Sequence, residues 1–569
     1  MKKWLFSCMA LCGLAVPQAW AQRVEPLVSA KFSQSAPYNN ACPEGYAAGC
    51  GPVALAQILA TYRQPATGYG SVVYKSGGLA DSVRVDFSRT AFDWDHILDQ
   101  YKAGSYTQEE ADAVAGLVFA CGAATYAQYG PSTSISNYGR MLYGMQHFLH
   151  FSPDGRYLHR AYYSTAEWLE MLDGQLQAGH PVFYRGSWLF NGGNVGHMFV
   201  VDGTDGEGRY HINFGHGGSG DKFADLNIIN QSGNYPGGRG VCYNAAQAMV
   251  VNCFPTPDAT DYPEQRCILT EPVVLNGDST LRSVSVGLGE SVTLSCLLMN
   301  CSGQRATIQY GWGLERDGEF LGMLAQRTYS LGAGYRFTAR RHLPVTIPAD
   351  LERGTYRLVL YSCSDLEPDW APVWADARPA VDLYVSGRQA TVAIPDPHDG
   401  DPQLYLGGEI AEVPNEMAAT VPGRSFSLQM RNETTNNYQD VVRLEIEAEG
   451  ETYTFETTLP VYSQTETEFQ VLVPQSEVDL AGKQISAVRA SYRFGPDGSF
   501  FPLTTEKPTS VDGVQAGGAE DVSVYSLQGI LLARIPAARV AEMYGQVLSA
   551  LPHGVYVIKE GRKSRKIKI

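Results

Sequence analysis

Hydrophobic and polar residues recur along this chain with two different periods, and the change from one to the other divides it. In YAAGCGPVALAQILATYR (Tyr46 to Arg63), Ala54, Leu55, Ile58, Leu59 and Tyr62 fall at helical spacing. Pro52 sits in the first turn, where a missing backbone N–H costs nothing. TQEEADAVAGLVFACGAA (Thr107 to Ala124) opens with a capping box of Thr107 and Glu110 and continues as an amphipathic helix. TAEWLEMLDGQL (Thr165 to Leu176) predicts a further helix. HPVFYRGS, GHMFVVDG and RYHINFG are strand-like runs. The mixture predicts an α+β domain over residues 22–255.

Beyond PTPDATDYP (Pro255 to Pro263), which reads as a linker, the period becomes almost entirely that of β-strands. SVTLSCLLMN, ATIQYGWGLE, YRFTARRHLPV and TYRLVLYS predict an Ig-like β-sandwich over 264–390. IPDPHDGDP (Ile394 to Pro402) is a second linker. Its Asp396, Asp399 and Asp401 read as solvated acids rather than a calcium site, because no further ligand group accompanies them. A second β-sandwich is predicted over 403–505, where SFSLQMRNE echoes SVTLSCLLMN. After a turn-rich stretch, residues 519–569 predict a small all-β unit with a basic end.

Composition narrows the class. Hydrophobic residues make up 44% and charged residues 18%, as in folded globular domains. MKKWLFSCMALCGLAVPQAWA (residues 1–21) reads as a secretory signal, with Lys2 and Lys3 before an apolar run and Ala19-Trp20-Ala21 as the cleavage site. No later run is apolar for long enough to span a membrane. Loss of Lys2 and Lys3 takes the formal charge from −16 to −18, and an acidic body argues against nucleic acid as a partner. Nine cysteines follow the signal: Cys42, Cys50, Cys121, Cys242, Cys253, Cys267, Cys296, Cys301 and Cys363. An odd number in an oxidising compartment leaves at least one thiol unpaired, and Cys50 is the candidate.

Cys50 lies at or just before a helix N-terminus, where the partial positive charge favours a thiolate. A hydrolytic cysteine needs a base to take its proton and a group to hold that base. GHMFVVDGTDGEGRYHINFGHGGSGDKF (Gly196 to Phe223) offers His197, His211, Asn213 and His216. With Thr204 to Gly208 as a five-residue loop, 203 pairs with 209 and 199 with 213, so His197 and Asn213 become diagonal neighbours on one face. A two-residue turn at Asp205-Gly206 places them on opposite faces. In the first register Asn213 accepts from the imidazole Nδ1–H, leaving Nε2 for the thiol, and His211 falls on the other face. The Cys50 backbone N–H and the side-chain amide of Gln34 are candidate donors to an oxyanion.

These residues sit in motifs that resemble the streptopain family of papain-like bacterial cysteine peptidases. The shared elements are Q-x-x-PYN-x-x-CP at Gln34 to Pro43, A-x-GC followed by A-x-AQI at Ala47 to Ile58, ACGAATYAQYG (Ala120 to Gly130), the AGHPVFYRG to GHMFVVDG run, and YHINFGHGGSGDKF. The resemblance implies a papain-like domain with Cys50 as nucleophile, His197 as base, Asn213 as orienter and Gln34 as oxyanion donor. It implies protein or peptide substrates and neither a metal nor an organic cofactor. Two departures stand out. Phe214 and His216 occupy places where the family usually has tryptophan, and only residues 22–33 lie where the family carries a long propeptide. VYSLQG (Val524 to Gly529), LPHGVYVIKEG (Leu551 to Gly561) and the lysine-rich end resemble a type IX secretion sorting domain. That implies the type IX machinery as a partner and a secreted or cell-surface location, reached through the periplasm and outer membrane. Two other readings stay open: a cysteine amidase acting on cell-wall peptides, and a catalytically dead adhesin that uses its sandwiches.

Overall fold

The computed structural model describes residues 22–569 apart from short segments, of which 230–242, 506–521 and 536–554 are the longest. The predicted signal and the three linker aspartates lie outside the described residues. Among the described residues of the first unit, four helices lie about a six-stranded antiparallel sheet. The helices are α1 (Cys50–Tyr62), α2 (Gln108–Ala124), α3 (Tyr138–Leu149) and α4 (Thr165–Gln177). A two-stranded ribbon of β1 (Ser71–Lys75) and β2 (Ser82–Asp86) stands apart from the sheet. The sheet contains β3 (Arg156–His159), β4 (Val182–Phe190), β5 (Gly193–Thr204), β6 (Tyr210–Asn213), β7 (Lys222–Ala224) and β8 (Ala245–Val251), in the order β3-β8-β4-β5-β6-β7.

Local chemistry explains the helix starts. Thr107 caps α2 by accepting from the Glu110 N–H, while the Glu110 carboxylate accepts from the Thr107 N–H. Ser164 and Glu167 form a second reciprocal box at α4. Helix α3 went unread in the sequence. Gly139 and Gly144 weaken its intrinsic propensity, and burial of Met141, Leu142, Met145 and Leu149 supplies what propensity lacks.

The sheet separates two cores. Phe183, Val200, Ala248 and Val250 face α1, α2 and α3. Their neighbours Val182, Tyr184, Phe199, Val201, Met249 and Val251 face the other way, onto Trp168, Leu172 and Leu176 of α4. This is the strand alternation expressed on both faces at once. Burying Leu172 or Leu176 completely is worth roughly 1.5–3 kcal/mol each. The next region holds a seven-stranded sheet, Val286 to Val392 among its buried residues, and two three-stranded sheets about one core. Strands between 404 and 503 form two four-stranded sheets about another core, and strands at 522–526, 531–535, 555–560 and 563–568 form a last four-stranded antiparallel sheet. Among the described residues no helix is long and apolar enough to cross a membrane. Eight of the nine post-signal cysteines are free thiols, and Cys242 lies outside the described residues.

Both large β-regions are tied to the first unit. Arg140 lies over the Tyr126 ring and donates to the Gly303 carbonyl at 2.7 Å, and the Tyr162 hydroxyl donates to the Thr270 carbonyl at 2.9 Å. The second region grips the entrance to α4. Asn437 donates to the carbonyls of Arg160, Ala161 and Tyr163, and Ser463 Oγ accepts from the Thr165 N–H at 2.9 Å. Arg160 is almost wholly buried. Tyr462 covers one face of its guanidinium at 4.0 Å, while Gln247 and Asn227 accept from it at 2.6 and 2.7 Å. Burying a cation is tolerable only with such partners.

This joint is testable. Replacing Asn437 and Tyr462 together by alanine leaves three carbonyls without their donor and opens the guanidinium to water. The double variant is expected to show a larger radius of gyration by small-angle scattering and faster cleavage near residues 395–402 by an added protease. An unchanged scattering curve and digest would place the hold elsewhere.

Candidate active site

The start of α1 presents Cys50. Gly49 precedes it with φ +94°, and a Cβ there would lie 2.8 Å from the Ser134 carbonyl oxygen. A Cβ on Gly51 would lie 2.4 Å from Ser136 Oγ and 2.9 Å from Met198 Sδ. Backbone conformation at Gly49 and close packing at Gly51 therefore both require glycine beside this cysteine. Cys50 is the first helical residue, and its N–H precedes the intrahelical bonding. The residue remains partly exposed, although protein packs closely around the sulfur.

Helix α1, which begins at Cys50, packs against β5, which carries His197. The Met198 N–H, next in the chain to His197, is near enough to the Cys50 sulfur to favour its thiolate. Tyr243 is close enough to interact with Cys50, and its ring centroid lies 5.1 Å from that of His197. His197 Nε2 lies 2.9 Å from the Phe214 carbonyl oxygen. A carbonyl only accepts, so Nε2 carries the proton and Nδ1 is the imidazole's free acceptor. This reverses the tautomer expected from the sequence.

The register explains the reversal. Thr204 pairs with Tyr210 and Gly203 with His211, but then a bulge at Asp202 shifts the ladder, and Val201 pairs with Ile212 and Val200 with Asn213. One inserted residue flips every later side chain to the opposite face. Asn213 therefore shares a face with Val200 rather than with His197, and the diagonal pairing expected from the sequence does not form. The Asn213 side chain instead brackets its own turn. Nδ2 donates to the Ala30 carbonyl at 2.9 Å, and Oδ1 accepts from the Gly215 N–H at 3.1 Å. That N–H belongs to the same peptide group whose carbonyl accepts from His197. Asp221 accepts from the Phe214 N–H at 2.9 Å and pairs with Lys31 at 3.0 Å, which holds the segment from the other side.

The other histidines separate clearly. His211 Nδ1 lies 2.6 Å from the carboxylate of fully buried Asp202, which also accepts from the Val28 N–H. His216 stacks on His197 with ring centroids 4.9 Å apart, and its Nε2 lies 3.3 Å from Gln34 Nε2. Gln34 is brought to the helix start by its own carbonyl, which accepts from the Ala48 N–H at 3.0 Å.

Burial dominates the electrostatics. It pushes the Cys50 thiol upward, with the N–H groups of Met198, Gly51 and Cys50 and the charge of Arg185 opposing it. Burial also pushes the His197 imidazole down to about 4, against the Phe214 bond. The helix start is thus not enough to make a free thiolate here, because desolvation outweighs its donors. Both shifts favour the neutral forms, a thiol at Cys50 and an imidazole with an unprotonated Nδ1 at His197. The sequence reading missed Arg185, Tyr243 and the Phe214 carbonyl. A backbone acceptor leaves no side-chain signature, and the other two are brought in by β4 and by the segment before β8.

Residues 32–223 match the Peptidase C10 family. Streptopain of Streptococcus pyogenes is 28% identical over 216 residues, which are 37% of this chain and 53% of that protein. The chain therefore spans about half the length of the curated streptopains it matches. Thiol protease/hemagglutinin PrtT of Porphyromonas gingivalis is 26% identical over 234 residues, covering 39% of this chain and 26% of that protein. Among solved structures, the active wild-type interpain A cysteine protease of Prevotella intermedia is 30% identical. That match covers 42% of this chain and 98% of that one, with a TM-score of 0.39.

The electrostatics predict how the thiol reacts. Its alkylation rate by iodoacetamide should climb into the alkaline range, since a raised thiol ionises only there. Arg185→Gln removes a cation that favours the thiolate and should move the profile to still higher pH. A rate already level across the acidic range, or an Arg185→Gln profile superimposed on the parent, would contradict this account.

Proposed function

We propose that this chain, whose residues 32–223 match the Peptidase C10 family, is a secreted endopeptidase that cleaves proteins with Cys50 through an acyl-enzyme. The carrying observation is the packing of α1 against β5. Cys50 at a helix start lies beside β5 one residue from His197, whose Nε2–H is held by a carbonyl and whose Nδ1 is unprotonated.

On this reading the Cys50 thiol passes its proton to His197 Nδ1 as the sulfur attacks the substrate carbonyl carbon. The Cys50 N–H and the Gln34 amide donate to the oxygen as it gains charge. The imidazolium then protonates the leaving amine. Water, deprotonated by the same imidazole, attacks the thioester and releases the acid and the free thiol. Neutral starting groups make His197 a general base in the attack. Asn213 supports the imidazole through one peptide group: its Oδ1 accepts from the Gly215 N–H, which polarises the Phe214 carbonyl toward His197. Phe214 is fully buried against the imidazole and keeps water from these bonds. Export rests on the apolar leader at residues 1–21, and passage by the type IX route rests on the motifs at Val524 to Gly529 and Leu551 to Gly561. The β-regions then stand between the peptidase and that C-terminal address.

Casein hydrolysis by purified variants tests the assignment. Cys50→Ala and His197→Ala are expected to be inactive with unchanged circular dichroism. His211→Gln, which can still donate to Asp202, should keep activity per folded molecule. Asn213→Ala should be impaired less than either, because it moves no proton. Wild-type turnover by Cys50→Ala, or loss in His211→Gln with survival in His197→Ala, would sink the assignment.

A further inference from the structure

We propose that His216 is a positioning residue that holds the Gln34 amide in its donating orientation, acting from the unprotonated Nε2 of a neutral imidazole. The proposal rests on reading Gln34 as the oxyanion donor. Two nitrogens, Gln34 Nε2 and His216 Nε2, face each other at 3.3 Å. A carboxamide nitrogen can only donate, so the imidazole nitrogen must be the acceptor and its ring proton must sit on Nδ1. The amide nitrogen has two hydrogens in one plane. Committing one to His216 fixes the direction of the other, which is the one left for the substrate oxygen. Without that anchor the carboxamide can turn about its last bond and present Oε1, an acceptor, to a developing anion. A donor aimed in advance is what makes an oxyanion site effective.

The second ring contact points to the same protonation state. His216 stacks on His197 at 4.9 Å with an interplanar angle of 26°. His197 becomes an imidazolium when it takes the thiol proton, and a second cation stacked on it would oppose that step. A neutral His216 is therefore required twice, once by Gln34 and once by His197. Its place is secured locally: the Gly217 N–H donates to the Phe32 carbonyl at 2.7 Å, and the Ser219 N–H to the His216 carbonyl at 3.1 Å. Phe32 is two residues before Gln34, so the loop that carries His216 and the segment that carries Gln34 are tied together.

The test is a double-mutant cycle in the full chain, reading kcat and KM on a fluorogenic peptide amide. Gln34→Ala should lower kcat by about 10²–10³-fold. His216→Phe keeps a ring on His197 but offers no acceptor. It should lower kcat by roughly 10- to 100-fold with KM little changed, since the loss is one of alignment in the transition state. In the Gln34→Ala background, His216→Phe should cost less than about twofold further, because the group it positions is gone. His216→Gln, which restores an acceptor oxygen, should recover most of the loss. Equal losses from His216→Phe on both backgrounds, or none on the parent, would overturn the positioning role while leaving Gln34 as donor. A parental kcat in Gln34→Ala would overturn both, while inactivity of Cys50→Ala would still leave the peptidase assignment intact.

Discussion

One peptide group, from the Phe214 carbonyl to the Gly215 N–H, is the constraint on which the site depends. Its oxygen accepts from His197 and its N–H donates to Asn213. The imidazole thereby acquires a tautomer, since only a protonated Nε2 can meet a carbonyl. It also acquires a direction, since the other nitrogen is left as the free acceptor. A single neutral hydrogen bond of this kind contributes only about 1 kcal/mol net. Its effect on function is larger than that figure suggests, because it decides which nitrogen can accept a proton. The surroundings serve that bond. Asp221 and Lys31 hold the Phe214 N–H, Ala30 holds the Asn213 amide, and buried Phe214 excludes water from the group.

Desolvation sets the charge state. Around Cys50 the helix start and the Met198 N–H favour a thiolate, yet close packing raises the thiol overall. The same packing lowers His197 to about 4. The two effects run in the same direction, since each group is discouraged from carrying charge. Burial also gives weight to the donors around the reacting centre, which act in a medium where little water competes.

The β-regions are not loosely hung appendages. A buried arginine of the first unit, Arg160, has one face covered by Tyr462 of the second region, and its hydrogen-bond partners Gln247 and Asn227 belong to the first. Gln247 also donates to the carbonyl of Tyr243, whose ring lies on His197. The loop before α4, the segment before β8 and the docked region thus share one polar network, reached from the side of the sheet away from α1. A cation so deeply covered favours a fixed joint, because separating the surfaces would strip the guanidinium of its aromatic cover.

Local signals in the sequence determined what depends on neighbours a few residues away. The capping box of Thr107 and Glu110, the helical run after Cys50, the glycines beside it and the period-two strands are all of this kind, because caps, turns and amphipathic faces are built within one or two turns of chain. The residues proposed for the site, Cys50, His197, Asn213 and Gln34, could be named from the sequence, since candidate nucleophiles, bases and amide donors have distinctive side chains. What the site does with them was decided by tertiary structure. A bulge at Asp202 reversed the parity that linked His197 to Asn213, and no alternation of polar and apolar residues announces one extra residue in a ladder. The acceptor for His197 proved to be a backbone carbonyl, which every residue possesses and no sequence marks. His216 gained its contact with Gln34 from 182 residues away, through a loop whose Gly217 N–H is tied to the Phe32 carbonyl. The chain alone specifies which groups are available, whereas burial and register settle which of them meet and in which protonation state.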